Sequence, residues 1–415
     1  MAAKRKRKVT DADLPYVGPE TAAGQWLRRY WLAIWRAEDL KDIPQGIKVL
    51  GEELVLFRDD KGRLGLLGMH CAHRGSSLEY GDIGNGGIRC PYHGWLYDVR
   101  GNCLEQPAEP RGSAFHKKVK QPSYPVQELG GLIFAYMGPD RDRPPPLPRY
   151  APLVREDGVR YLEPIRFYDY NWFNFFENAP DVAHLSILHR YSGYGKQTWG
   201  NNFFDYRDIP PFEAVATEYG MKAVSRKPGP TPDSEYVHEL GALLPSIIHL
   251  GSVNDQGREE PDNEHTIFLT PNDDERFMLF SVDYYTGSDA KFFEKIMARR
   301  YGPSQKEEPK PYDRRKYKSF RGSILMEDIM TQSTQGLLGR REERLGSSDR
   351  GVIMLRRMVR EEIETVLKKG RPKGVLTKDQ ATRIIDFSCF TGIQRKQLHS
   401  TVASASGHVS GKLRS

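Results

Sequence analysis

Cysteine is scarce in this sequence: Cys71, Cys90, Cys103 and Cys389 are the only four in 415 residues. Two of them stand beside histidines, which argues against a secreted, disulfide-stapled scaffold and for a reducing cytoplasm. Long hydrophobic runs are missing too. No apolar stretch approaches the roughly 18 residues that a membrane span requires, and the N-terminus has no hydrophobic signal core. No Gly-x-Gly-x-x-Gly follows a predicted strand, so the sequence shows no flavin or nicotinamide fingerprint. Neither sign of charge dominates: 62 Lys and Arg face 55 Asp and Glu, a formal net charge of +7. The one basic block, Lys4–Lys8, has no basic helix behind it and reads as a solvated tail. Neither nucleic acid nor a membrane is therefore expected as a partner. There is no internal repeat.

What is there falls into two parts. Residues 1–39 read as a tail and a short amphipathic helix, "AAGQWLRRYWLAI" (Ala22–Ile34). From about residue 40 to 139 the chain runs through short β-rich stretches: "IKVL", "ELVLFRD", "RLGLLGM", "GIRC", "GWLYDV", "CLEQPA" and "YPVQELGGLIFAYMGP". Turn sequences at Asp59–Gly62, Asn85–Gly87 and Arg100–Asn102 separate several of them, which predicts a compact all-β unit. Three consecutive prolines in "GPDRDRPPPLPRY" can continue neither a ladder nor a helix, so residues 140–150 are read as a linker. Residues 151–399 mix strands ("TIFLT", "RFMLFSVDYY") with helices ("AKFFEKIMARR", "SILMEDIMTQSTQ", "VIMLRRMVREEIETVLKK"). Gly370 and then Pro372 are the expected stop for the last helix. Residues 400–415 are small and polar, a tail expected to be disordered. The fold class is α+β.

Within the β unit lies "CAHRGSSLEYGDIGNGGIRCPYHGW" (Cys71–Trp95), in which Cys-x-His precedes Cys-x-x-His by sixteen residues. A structural zinc ion accepts two thiolates and two imidazoles. A zinc finger, however, pairs its cysteines in one half, whereas here each half carries one of each. That alternation suits a two-iron, two-sulfide cluster with two cysteines on one iron and two histidines on the other. The surrounding glycines suit loops that bend closely round such a cluster. The motif resembles the Rieske motif, and "CAHRG" is near its form in Rieske oxygenases. The resemblance implies that Cys71, His73, Cys90 and His93 hold a [2Fe-2S] cluster. His70 has a spacing that matches no ligand role.

A second stretch, "NWFNFFENAPDVAHLSILHRYSGYG" (Asn171–Gly195), is read as a helix with Pro180 in its first turn and Asn178 as cap. Asp181 and His184 share a face at a spacing of three. His189 lies five further on, where a straight helix turns it away. Either the helix bends or ends there, or the histidines do not converge, and spacing alone does not decide. With the Rieske motif beside it, the whole chain resembles the α subunit of Rieske non-haem iron oxygenases. That implies a larger domain built on an antiparallel sheet flanked by helices. It also implies His184 and His189 as ligands of a mononuclear ferrous iron, completed by Asp328 of "SILMEDIMTQ", with Glu327 as the other candidate. A triad of this kind leaves positions open for O₂ and substrate. The resemblance further assigns Asp181 to an electron-transfer bridge. It would hydrogen-bond His184 and, across a subunit interface, His93, in a homotrimer.

"TAAGQWLRRYW", "CLEQPAEP" and "DVAHLSILHR" look most like the branch that includes phenoxybenzoate and chlorobenzoate dioxygenases and biaryl O-demethylases. The implied function is a terminal oxygenase that takes electrons from an NAD(P)H-dependent reductase, with or without a ferredoxin. It would use O₂ to dioxygenate an aromatic acid or aryl ether. The alternative is a monooxygenase that O- or N-demethylates a substituted aromatic. Two other classes stay open: an electron-transfer Rieske protein, which needs no second iron, and a zinc-bearing binding protein. Trp172, Phe173, Phe176, Tyr191 and Tyr194 flank the second motif and are read as core rather than pocket. Asn174 and Asn178 either contact substrate or cap. A basic docking face for an acidic donor fits the net charge.

Overall fold

The computed structural model describes residues 8–191, 209–251, 253–254, 263–287, 291, 295, 324–387 and 389–395. Of the expected helix at "AKFFEKIMARR" only Lys291 and Lys295 are described, both helical; the basic block before Lys8, Tyr194, the side chain of Tyr191 and the C-terminal tail lie outside the described residues.

The first part of the chain is built from ten short strands: β1 (Trp31–Arg36), β2 (Gln45–Val49), β3 (Glu52–Arg58), β4 (Leu64–Gly68), β5 (Asp82–Gly84), β6 (Gly87–Arg89), β7 (Leu96–Asp98), β8 (Cys103–Glu105), β9 (Val126–Leu129) and β10 (Leu132–Tyr136). They form three antiparallel sheets, ordered β1-β10-β9, β2-β3-β4 and β5-β6-β7-β8. The turns fall where the sequence places them. Asn85 and Gly86 both have positive φ (53° and 76°), as a two-residue hairpin loop requires of both central residues.

The helix expected over Ala22–Ile34 is shorter. Helix α1 covers Ala22–Leu27, capped by Thr21, whose hydroxyl accepts from the Gly24 amide at 3.1 Å. From Trp31 the apolar run becomes β1, which pairs with β10 and so belongs to the β unit rather than to the tail. Bulky and β-branched residues there gain more from ladder pairing against Phe134 and Ile133 than from a further helical turn.

In the second part β11 (Arg149–Tyr150) leads into α2 (Ala151–Val154), followed by eleven further strands and helices α3 (Trp172–Phe176), α4 (Val182–Ile187), α5 (Ile324–Gln332) and α6 (Arg350–Leu367) among the described residues. The main sheet is antiparallel along the path β12 (Val159–Leu162), β20 (Phe277–Tyr285), β19 (Asn263–Pro271), β17 (Ile247–Gly251), β16 (Ser234–Leu243), β15 (Gly220–Pro228) and β14 (Phe212–Ala216). β13 (Arg166–Tyr168) adds to β20, and β22 (Thr391–Arg395) adds to β16 and to β18 (Val253–Asn254). β11 (Arg149–Tyr150) pairs with β21 (Ile384–Ile385). Helix α6 ends differently from expectation. Lys369, not Gly370, takes the left-handed conformation (φ 62°), and the Gly370 amide closes the end by donating to the Thr365 carbonyl at 2.8 Å.

The two parts share one core. Trp31, Leu32 and Phe134 of the β unit pack in the same cluster as Tyr150, Phe268 and Leu355. Backbone bonds tie the junction: the Leu50 amide donates to Pro271 and the Gly51 amide to Asn272. The proline-rich segment is strapped on by the Trp31 indole, which donates to the Pro145 carbonyl at 2.8 Å.

Two candidate metal centres

The first centre is made by two loops of near-identical build. Cys71 follows β4 and Cys90 follows β6. Each cysteine carbonyl accepts from the glycine four residues on, Gly75 at 2.8 Å and Gly94 at 3.0 Å. Each cysteine amide donates to the carbonyl five residues on, Ser76 at 2.9 Å and Trp95 at 2.8 Å. Both glycines need positive φ (76° and 72°), which a side chain would strain. The loops bury the two sulfurs and leave His73 exposed and His93 half-buried, with imidazole centroids 4.5 Å apart.

The chemistry of this donor set fits an iron–sulfur cluster. Burial pushes the Cys71 thiol above its ordinary value, although Tyr97 offsets part of this. A pair of buried thiolates therefore needs a cation beside it. The Tyr97 hydroxyl lies 3.2 Å from Cys71 Sγ, and Tyr97 is fully buried. Gln121 holds the first loop. Its Oε1 accepts from the Ala72 amide at 2.9 Å, and its Nε2 donates to the Gly68 and His70 carbonyls at 2.7 Å each. Neither residue stands out in the sequence. Tyr97 could have been found from its place beside the motif, Gln121 only from the fold. His70 faces away from the sulfurs, with Nε2 2.8 Å from Glu53 and Nδ1 3.2 Å from the Gly75 carbonyl.

At the second centre the helix does end early. Asp181 caps α4 by accepting from the Ala183 amide at 3.1 Å, so Asn178 is not the cap and Pro180 lies before the helix. An aspartate adjoining the first turn satisfies the free amides better than an asparagine three residues upstream. α4 stops at Ile187, and His189 opens a short 3-10 turn. That change of winding brings His189 back beside His184, with ring centroids 5.2 Å apart.

Asp328 of α5 meets both histidines: its Oδ1 is 3.7 Å from His184 Nε2 and 3.4 Å from His189 Nε2. One ligand atom from each of the three lies within 4.8 Å of the others. Glu327 does not join them. Its Oε2 takes the far nitrogen of His189, Nδ1, at 2.9 Å. His184 Nδ1 is likewise occupied, by the Asp181 carbonyl at 2.5 Å. Both rings therefore carry the Nδ1 proton toward the protein and turn Nε2 inward. Among the described residues His189 Nε2 is buried without a hydrogen-bond partner, an orphaned nitrogen that fits a metal ligand. Burial alone would push His189 down, but Asp328 and Glu327 lift it to about 9.

The carboxylate of Asp181 lies 3.9 Å from His184 Nδ1 and remains partly exposed. Asn178, half-buried beside the triad, donates to Asp328 Oδ1 at 3.1 Å and approaches His184 Nε2 at 3.3 Å. Asn174 neither caps nor faces the triad. It donates to the Gln332 and Gly336 carbonyls, while Asn171 caps α3. Trp172, Phe173 and Phe176 are fully buried core. On the sheet below α4, Leu240 packs with Val182, and His238 is buried with Nδ1 3.0 Å from Thr391 Oγ1. Burial and then His184 push His238 down to about 3.

Residues 30–125 match the family model of the Rieske [2Fe-2S] domain. Over 389 residues the chain is 32% identical to the phenoxybenzoate dioxygenase subunit alpha of Ectopseudomonas oleovorans, covering 88% of this chain and 87% of that one. The chain belongs to the Rieske oxygenase α subunits. It is also 30% identical over 384 residues to the 5,5'-dehydrodivanillate O-demethylase oxygenase subunit of Sphingobium sp. (strain NBRC 103272 / SYK-6), covering 88% of this chain and 82% of that one. Among solved structures, dicamba monooxygenase bound to dicamba shares the fold, with a TM-score of 0.64 at 21% identity over 83% of this chain and 99% of that one. Like other Rieske oxygenases, this one is an oxidoreductase that works with a [2Fe-2S] cluster, a mononuclear iron and O₂. No helix among the described residues is long and apolar enough to cross a membrane.

Proposed function

We propose that this oxygenase dioxygenates an aromatic acid or aryl ether, drawing two electrons from a separate NAD(P)H-dependent reductase. The observation that carries the reading is the convergence of His184, His189 and Asp328 in a chain that also presents the paired Cys and His loops. Cys71 and Cys90 would bind one iron of the cluster and His73 and His93 the other. His184, His189 and Asp328 would hold the mononuclear iron, which supplies oxygen activation when bound. Three protein ligands leave part of its coordination open. Glu327 and the Asp181 carbonyl fix the imidazole tautomers from behind, and Asn178 steadies Asp328.

Asp181 is read as the bridge between centres, its part-exposed carboxylate reaching the partner subunit's His93 in a head-to-tail homotrimer. A second reading, monooxygenation with O- or N-demethylation, draws on the similarity to an O-demethylase subunit.

The test is turnover with labelled O₂ and a panel of benzoates, aryl ethers and methoxyarenes. Two labelled oxygens in one product support dioxygenation, and formaldehyde supports the second reading. His189→Ala should abolish product while the electron paramagnetic resonance signal of the reduced cluster persists. Surviving turnover would remove the mononuclear-iron assignment and leave an electron-transfer protein.

A further inference from the structure

We propose that the basic surface around Phe115 is the docking site of an acidic electron-transfer protein, and that electrons enter by way of Phe115, Trp95 and His73. This rests on the Rieske reading above and adds where the donor binds.

Two observations meet there. The first is an aromatic path. Phe115 is 45% exposed and opens the short turn Phe115–Lys118. Its ring centroid lies 6.0 Å from that of Trp95 in an edge-on contact. Trp95 is buried and stacks on His73, with centroids 4.4 Å apart and planes only 13° from parallel. A continuous ladder of rings thus joins the surface to one cluster imidazole. The other imidazole, His93, packs on Tyr92 with centroids 3.9 Å apart and lies 4.5 Å from His73.

The second observation is charge. Arg111, Lys117, Lys118 and Lys120 are all exposed, and none forms an ion pair with a described residue. Some exposed arginines elsewhere are matched, as Arg63 is by Asp59, Arg226 by Glu235 and Arg383 by Glu218, but these four cations are not. The nearby Glu105 is already taken by Arg89. Uncompensated cations round an exposed aromatic ring present a positive field with an apolar centre. That is the complement of an acidic carrier and steers its approach. In each transfer one electron leaves the reduced donor and the cluster gains it, one ferric ion becoming ferrous. No bond is made or broken.

The probe is an acidic [2Fe-2S] ferredoxin. Its oxidised form is titrated calorimetrically into wild type and into Lys117→Glu/Lys118→Glu. The reduced form is mixed in stopped flow while the Rieske absorbance is followed. The double variant is expected to bind about tenfold more weakly at low salt, the gap closing above about 0.5 M. Its cluster should be reduced correspondingly more slowly by the ferredoxin, yet at the wild-type rate by photoreduced deazaflavin, a small neutral reductant. Phe115→Ala should slow ferredoxin reduction at every salt concentration. Equal affinity of the two proteins at low salt overturns the docking site. So does equal slowing with deazaflavin, because the cluster itself would then be altered. Absence of the Rieske absorption band from wild type overturns the underlying reading instead.

Discussion

Glu327 Oε2 sits 2.9 Å from His189 Nδ1, on the side of the ring away from Asp328. The pair is almost fully buried. Neighbouring residues of one helix point about 100° apart, so one acidic pair can place a carboxylate on each side of a single imidazole. Glu327→Gln keeps the size but loses the charge that orients and enriches the ring. Such partners are worth about 10–100-fold in metal affinity. Competition with a chelator should show ferrous iron held that much more weakly, with the Rieske spectrum unchanged. Unchanged affinity would mean that Glu327 serves packing alone.

Tyr97 is expected to set the cluster potential. Its hydroxyl, 3.2 Å from Cys71 Sγ, can donate to a thiolate and so favours the electron-rich reduced state. Tyr97→Phe removes that bond without changing the ring. At about 1 kcal/mol per hydrogen bond, and about 59 mV per tenfold for one electron, the midpoint should fall by roughly 40 mV. Protein-film voltammetry measures it, and a midpoint at or above the wild-type value contradicts the argument.

Gln121 makes three hydrogen bonds to the backbone around Cys71. Gln121→Ala strands the Gly68 and His70 carbonyls and the Ala72 amide, at a cost of about 1–3 kcal/mol for each one left buried. The expected result is faster loss of the Rieske absorbance on warming, with the iron at the second centre retained. Loss of both centres at one temperature would show the two parts unfolding as a unit.

Arg356 joins α6 to the segment before the second centre. It is 2% exposed and is held by Glu177 at 2.7 Å and Glu343 at 2.7 Å. Glu177 also binds Arg341 at 2.5 Å and directly precedes Asn178. Removing one member of a buried ionic group costs about 3–5 kcal/mol, so Arg356→Met should lower the melting temperature by several degrees. A change under one degree would refute this.

Acid should release the Glu343 arm of the same group. The hydrogen bond from Arg356 holds the Glu343 carboxyl below its ordinary value. A carboxylate depressed in the folded chain contributes its stability above the unfolded value, about 4.3, and loses it as pH falls through the folded value. The melting temperature of wild type should therefore fall more steeply below about pH 4.3 than that of Glu343→Gln. Parallel pH profiles would sink the assignment.

The sequence by itself determined the local features. Cys-x-His and Cys-x-x-His declare their donors because each loop is a closed unit of six residues, turned by Gly75 or Gly94. Asn85-Gly86 and the alternating strands of the β unit are local in the same sense. What it misplaced were boundaries decided by partners: Trp31 leaves the helix because β10 is there to pair with it, and Asp181 caps α4 where Asn178 was expected to. Only the tertiary structure decided the second centre. Spacing could not show that α4 would end in time to return His189 to His184. It could not rank Asp328 over Glu327, 138 or more residues away in sequence, because that choice turns on how α5 is rotated against α4. Tyr97, Gln121 and Asn178 are ordinary residues until packing aims them at a sulfur, a loop and a carboxylate. Short-range chemistry is written in neighbouring letters; the meeting of distant side chains is fixed by the packing of helix on sheet.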